Sequence, residues 1–102
     1  KPQSSQLLID EYSQVGARLI NVGLTEQAID QYIKIWEMQT TGTLARANAA
    51  QTIGILYADL GNCQEALVWL FRAEASDLGK TLPLQPLIDT CLSKVRSKIS
   101  DQ

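Results

Sequence analysis

A chain of 102 residues, 45% hydrophobic and 20% charged, can build one core and is too short for two. Its net charge of −2 and pI near 4.9 give it no broad positive field, so a nucleic-acid partner is not expected. It contains no histidine, which removes the commonest general base, the commonest metal ligand and every Ser-His or Cys-His pair. No stretch approaches the ~20 apolar residues that span a bilayer, so membrane insertion is not expected either. The chain begins at Lys1 rather than a methionine, as an excised or processed form does. Cys63 and Cys91 are too few and too far apart for a disulfide framework or a metal knuckle. Both fall on apolar faces and read as buried free thiols, which leans towards an intracellular, cytoplasmic protein.

Apolar residues recur at three- and four-residue steps nearly throughout, the period of a helix. The first stripe runs through Leu7, Leu8, Tyr12, Val15, Leu19 and Ile20 and halts at Asn21-Val22-Gly23. Ala28, Ile29, Tyr32, Ile35 and Trp36 form the second, closed by the polar run Gln39–Gly42. Thr43 is placed to cap the third helix, whose stripe is Leu44, Ala47, Ala50, Ile53, Tyr57 and Leu60, ending at Gly61. Asn62 with Glu65 three residues on reads as a capping box opening the fourth, which uses Ala66, Leu67, Leu70, Phe71 and Ala73. In the first hairpin the same place holds Leu24, a poor cap, and Thr25 is expected to take the role one residue later. A last helix through Leu84, Leu87, Ile88, Cys91, Leu92, Val95 and Ile99 is introduced by Pro83 and Pro86. Its basic residues Lys94, Arg96 and Lys98 suit the negative end of a helix dipole better than a binding patch.

Gly16, Gly23 and Ala28 recur as Gly54, Gly61 and Ala66 at a constant offset of 38 residues. Small residues fixed at one offset are the signature of stacked helix–turn–helix units. A mid-helix glycine costs about 0.5–1 kcal/mol against alanine, so Gly16 and Gly54 imply close crossings, expected against Ala28 and Ala66. Tyr12, Val15 and Leu19 with Tyr32, and Ile53 and Tyr57 with Leu70, would fill the layers around them.

The pattern Tyr12-x2-Val15-Gly16-x2-Leu19-x3-Gly23-x4-Ala28-x3-Tyr32-x2-Ile35 resembles one tetratricopeptide unit. Ala50-x2-Ile53-Gly54-x2-Tyr57-x3-Gly61-x4-Ala66-x3-Leu70-x2-Ala73 is similar and the closer match. The resemblance covers roughly residues 9–80. It implies an all-α fold in which two antiparallel helix–turn–helix repeats stack in a right-handed superhelix with a fifth capping helix. The single domain spans 1–102, with repeat 1 at about 5–40, repeat 2 at about 43–80 and the cap at about 84–100. The sequence departs from the family in its longer spacing, in Ile35 where alanine is customary and in Leu78 where proline often ends a unit.

Such a fold implies a concave surface, lined by the first helix of each repeat, that binds a peptide or helix of a partner protein without catalysis or cofactor. Carried over residue by residue, the partner-binding positions are Asp10, Ser13, Ala17, Ile20 and Asn21 in the first unit. Asn48, Gln51, Ile55, Ala58 and Asp59 are their counterparts in the second. Asn and Gln amides can bond an extended backbone, and Ile20 and Ile55 offer apolar contact. Family members that clamp a terminal carboxylate carry Lys and Asn at the places held here by Ser13 and Ala17, so that activity is not expected. The competing reading is an assembly element that docks permanently into a complex, a homo-oligomer or a longer array, through a patch near Trp69 and the last helix. Trp36 is expected to fill the interface between units. The nearest acid pairs, Asp10-Glu11 and Glu26 with Asp30, have no phosphate loop or metal-ligand partner beside them and read as solvated helix charges.

Overall fold

The computed structural model describes residues 2–100, with side chains from Ser5 onward, and these residues are all-helical. Lys1, Asp101 and Gln102 of the expected domain lie outside the described residues. Helix α1 spans Pro2–Asn21, α2 Thr25–Met38, α3 Leu44–Asp59, α4 Cys63–Glu74 and α5 Gln85–Ser100, with one 3-10 turn at Gly79–Thr81. Helices α1 and α2 pair, α2 packs on α3, α3 pairs with α4, and α4 carries α5. The result is a slab with extents of 51 × 34 × 18 Å. No helix among the described residues is long and apolar enough to cross a membrane.

Local chemistry sets the two hairpin turns identically. Gly23 and Gly61 take left-handed φ values of 83° and 81°, which L side chains rarely adopt. At the first turn the Leu24 N–H donates to the Leu19 carbonyl (2.8 Å) and the Gly23 N–H to that of Ile20 (3.0 Å). At the second, Asn62 donates to Tyr57 (2.9 Å) and Gly61 to Ala58 (2.9 Å). Both are Schellman closures, and every atom pair in one has its counterpart 38 residues on in the other.

The helix starts differ. Thr43 accepts from the Arg46 N–H (3.2 Å) and Asn62 from the Glu65 N–H (3.2 Å), so α3 and α4 are capped by side chains. The capping box is half made, because the Asn62 N–H is spent on closing the preceding turn. The cap position of α2 is Leu24, with no side-chain bond, and Thr25 is already helical, so the expected one-residue shift does not occur.

The core runs from α2 to α5. Ile29, Ala50, Ile53, Leu56, Ala66, Leu67, Trp69, Leu70, Ala73, Leu84, Ile88 and both cysteines form one buried cluster. Alanine on α3 (Ala47, Ala49, Ala50) lets neighbouring helices approach closely. Gly54 makes the expected approach to Ala66 with Leu70 nearer still, whereas Gly16 meets Tyr32, one turn on, in place of Ala28. A Cβ at Gly16 would meet the Tyr32 ring at 2.8 Å, and one at Gly54 would meet Leu70 at 2.8 Å and the Ala66 carbonyl at 3.3 Å. Tyr32 and Leu70 are themselves 38 residues apart, so the two crossings share one register. Val15, expected in the first layer, is instead at the surface, because among the described residues α2 is the helix that packs substantially on α1.

Cys63 and Cys91 form a disulfide, correcting the expectation of free thiols and removing the ground for an intracellular leaning. It joins the first turn of α4 to the middle of α5. The outward residues of α5, Asp89, Thr90, Ser93, Arg96 and Ser97, are polar and exposed, so this helix closes its end of the slab with a wettable face.

Candidate protein-binding surface

The helical period puts Asp10, Ser13, Ala17, Ile20 and Asn21 along one side of α1, and all five are exposed. On α3, Asn48, Ile55 and Asp59 are exposed, while Gln51 and Ala58 are half-buried. Helix α2 packs against both α1 and α3 and so holds the two sets. Among the described residues no protein hydrogen bond occupies the side-chain amides of Asn21, Asn48 or Gln51, leaving them available to a ligand. The Asn48 carbonyl, by contrast, accepts from the Thr52 hydroxyl (3.0 Å). Asp10 Oδ1 accepts from Gln6 Nε2 at 2.9 Å, one turn earlier on α1. Ile20 and Ile55 supply exposed apolar contact on either helix.

Clefts lie elsewhere among the described residues. One of about 470 Å³ separates the start of α4 from the end of α5, where Lys94 and Lys98 line it. A second of about 320 Å³ opens beside Trp36, Arg46 and Arg72. The third and fourth, about 430 and 240 Å³, follow the junction of the two hairpin turns around Glu26 and Leu60. Glu26 and Asp30 face Tyr57 across the larger of these. Burial raises the Tyr57 phenol above its ordinary 10.0, and the charges of Glu65, Asp30 and Glu26 add to the effect. Tyr32 is raised by burial alone.

Trp36 is half-buried between the hairpins, packed on the core. Trp69 is 5% exposed and meets Trp36 edge-on at 5.0 Å, so the anticipated contact patch does not include it. Exposed apolar side chains gather instead on α1 and its turn: Leu7, Leu8, Val15, Val22 and Leu24. Val68 and Phe71, three residues apart on α4, are exposed as well. Sequence reasoning passed over Arg46 and Arg72, whose guanidinium groups lie over the tryptophan rings. Their signal was the spacing Trp69-x2-Arg72, one helical turn, with Arg46 just beyond the α2–α3 turn.

Together these features define an all-helical protein with exposed polar and apolar residues on α1 and on α3. No family model, curated protein or solved structure matches the chain.

Proposed function

We propose that the chain is a protein-interaction module on the tetratricopeptide plan, holding a peptide or helix of a partner on the strip formed by α1 and α3. The observation that carries this reading is the pairing of exposed Ile20 and Ile55 with neighbouring amides that no protein group occupies. Such a strip offers apolar contact and backbone hydrogen bonding together, the two ingredients of peptide capture. The 38-residue recurrence of glycines and turn bonds supports the family plan. On this reading the chain does no chemistry and takes no cofactor, nucleic acid or membrane.

The test is recovery of a partner on the immobilised chain, identification by mass spectrometry, and calorimetric titration with Asn48→Glu and Ile55→Glu. Both substitutions are expected to weaken that partner's binding while leaving the helical signal intact. Unchanged affinity in both would remove the strip from the reading.

A second reading, permanent docking into a larger assembly, is favoured by a separate observation. Leu8 and Val15 on α1 and Val22 in the turn that follows stand seven residues apart, all exposed. On this reading Val15→Glu abolishes self-association or complex formation seen by light scattering, whereas Ile55→Glu does not.

A further inference from the structure

Arg46 and Arg72 are held on aromatic faces at the mouth of one cleft. The Arg46 guanidinium lies 4.0 Å from the centre of the Trp36 ring, and that of Arg72 lies 4.5 Å from Trp69 and 5.4 Å from Trp36. Arg46 is fixed further, since its Nε donates to the Trp36 carbonyl (3.3 Å) and a terminal nitrogen donates to the Thr41 hydroxyl (2.8 Å). Arg72 makes no side-chain hydrogen bond among the described residues, so its planar fork is free to receive a ligand. No ion pair among the described residues involves either arginine. Asp77, one residue beyond the lining Ser76, is engaged by Lys80 at 3.6 Å.

We infer that this cleft binds an acidic segment of a partner protein, a carboxylate entering between Arg46 and Arg72 with a neighbouring apolar side chain against Trp36. Two guanidinium groups without a counter-charge, in a chain of net charge −2, concentrate positive potential at one point. Stacking restrains both groups before a ligand arrives, which lowers the ordering cost of binding. The remainder of the lining joins the hydroxyl residues Thr41, Thr43 and Ser76 to an apolar or small wall of Trp36, Gly42, Ala47 and Ala75. That wall suits a residue beside the acid better than it suits a bare ion. At about 320 Å³ the cleft is of a size to take a short side-chain pair. It is separate from the α1–α3 strip, and its occupancy does not depend on that strip.

Both tryptophans of the chain touch this cleft or its arginines, so tryptophan fluorescence reports on its occupancy. The probe is an acetylated, amidated peptide of alternating leucine and glutamate, with a leucine–glutamine peptide as control. Titration of the full chain is expected to give a saturable emission change with the glutamate peptide that weakens as salt is raised. The glutamine peptide is expected to give none. Arg72→Met keeps the apolar stem and should weaken binding about tenfold or more with an unchanged thermal melt. Arg72→Lys, which keeps the charge and loses the fork, should fall between. The proposal is overturned by no saturable change, by an equal response to the glutamine peptide, or by unaltered affinity in both Arg72 variants. Inorganic phosphate saturating the signal at lower concentration than the glutamate peptide would overturn the assignment to a carboxylate.

Discussion

Val15 and Ile53 hold the same place on the first helix of successive hairpins, 38 residues apart, yet Val15 is 36% exposed and Ile53 is 0% exposed. The difference is one of neighbours. Ile53 lies on a helix packed between α2 and α4, whereas among the described residues the helix of Val15 packs substantially on α2 only. The same contrast recurs at the crossings, where Gly54 meets fully buried Leu70 and Gly16 meets a half-buried Tyr32 ring. It recurs at the helix starts too, Asn62 capping α4 and Leu24 leaving α2 uncapped. Beyond α4 the disulfide and the polar back of α5 complete the second hairpin, and among the described residues no helix packs on α1 in that way. A helical hairpin of this kind buries its apolar layer only when another element covers it.

The largest expected effect is at the paired positions. Ile53→Ala should cost about 2–5 kcal/mol, as large-to-small changes in a closed core do, and Val15→Ala below about 1 kcal/mol. Denaturant midpoints of the two variants measure the contrast, and equal losses would break it.

Removing the disulfide should erase part of the second hairpin's advantage. The 28-residue separation of its cysteines puts the chain-entropy contribution at about 2–4 kcal/mol. The double variant Cys63→Ser/Cys91→Ser is therefore expected to melt at markedly lower temperature, with α5 less protected than in the disulfide-bonded chain.

Exchanging caps sharpens the comparison at smaller scale. Asn62→Ala should cost about 1 kcal/mol, while Leu24→Asn should gain a few tenths to about 1 kcal/mol by supplying the bond that α2 lacks. Thermal melts of both variants read the opposite signs.

The smallest effect lies at the junction of the hairpins. With the folded pKa values of Tyr32 and Tyr57 above the ordinary 10.0, the unfolded chain loses these protons first. Their contribution is whole below pH 10 and is lost as the pH rises through the folded values. Absorbance titration at alkaline pH should show two late phenols, and Asp30→Asn should bring Tyr57 down while leaving Tyr32 in place.

Much of the fold was legible because its signals are local. Gly23 and Gly61 end helices through their own backbone freedom, and the recurrence of small residues announced two like hairpins. What depends on docking was not legible. Whether Cys63 meets Cys91 depends on where α5 settles against α4. That Gly16 faces Tyr32 rather than Ala28 is a matter of one helical turn in crossing register. The exposure of Val15 depends on an absent neighbour, which no periodicity encodes. For the strip, the helical period was enough to anticipate the exposure of Asn48 and Ile55, but Gln51 and Ala58 are partly covered by packing. The arginine–tryptophan cleft joins α2, α3 and α4, and its residues come together only after those helices pack.

Amide hydrogen exchange followed helix by helix tests most directly the claim that the first hairpin is the less complete of the two. The account predicts that α1 exchanges earliest through local opening, while the amides of α3 and α4 exchange only with global unfolding. Equal protection of α1 and α3 would contradict it.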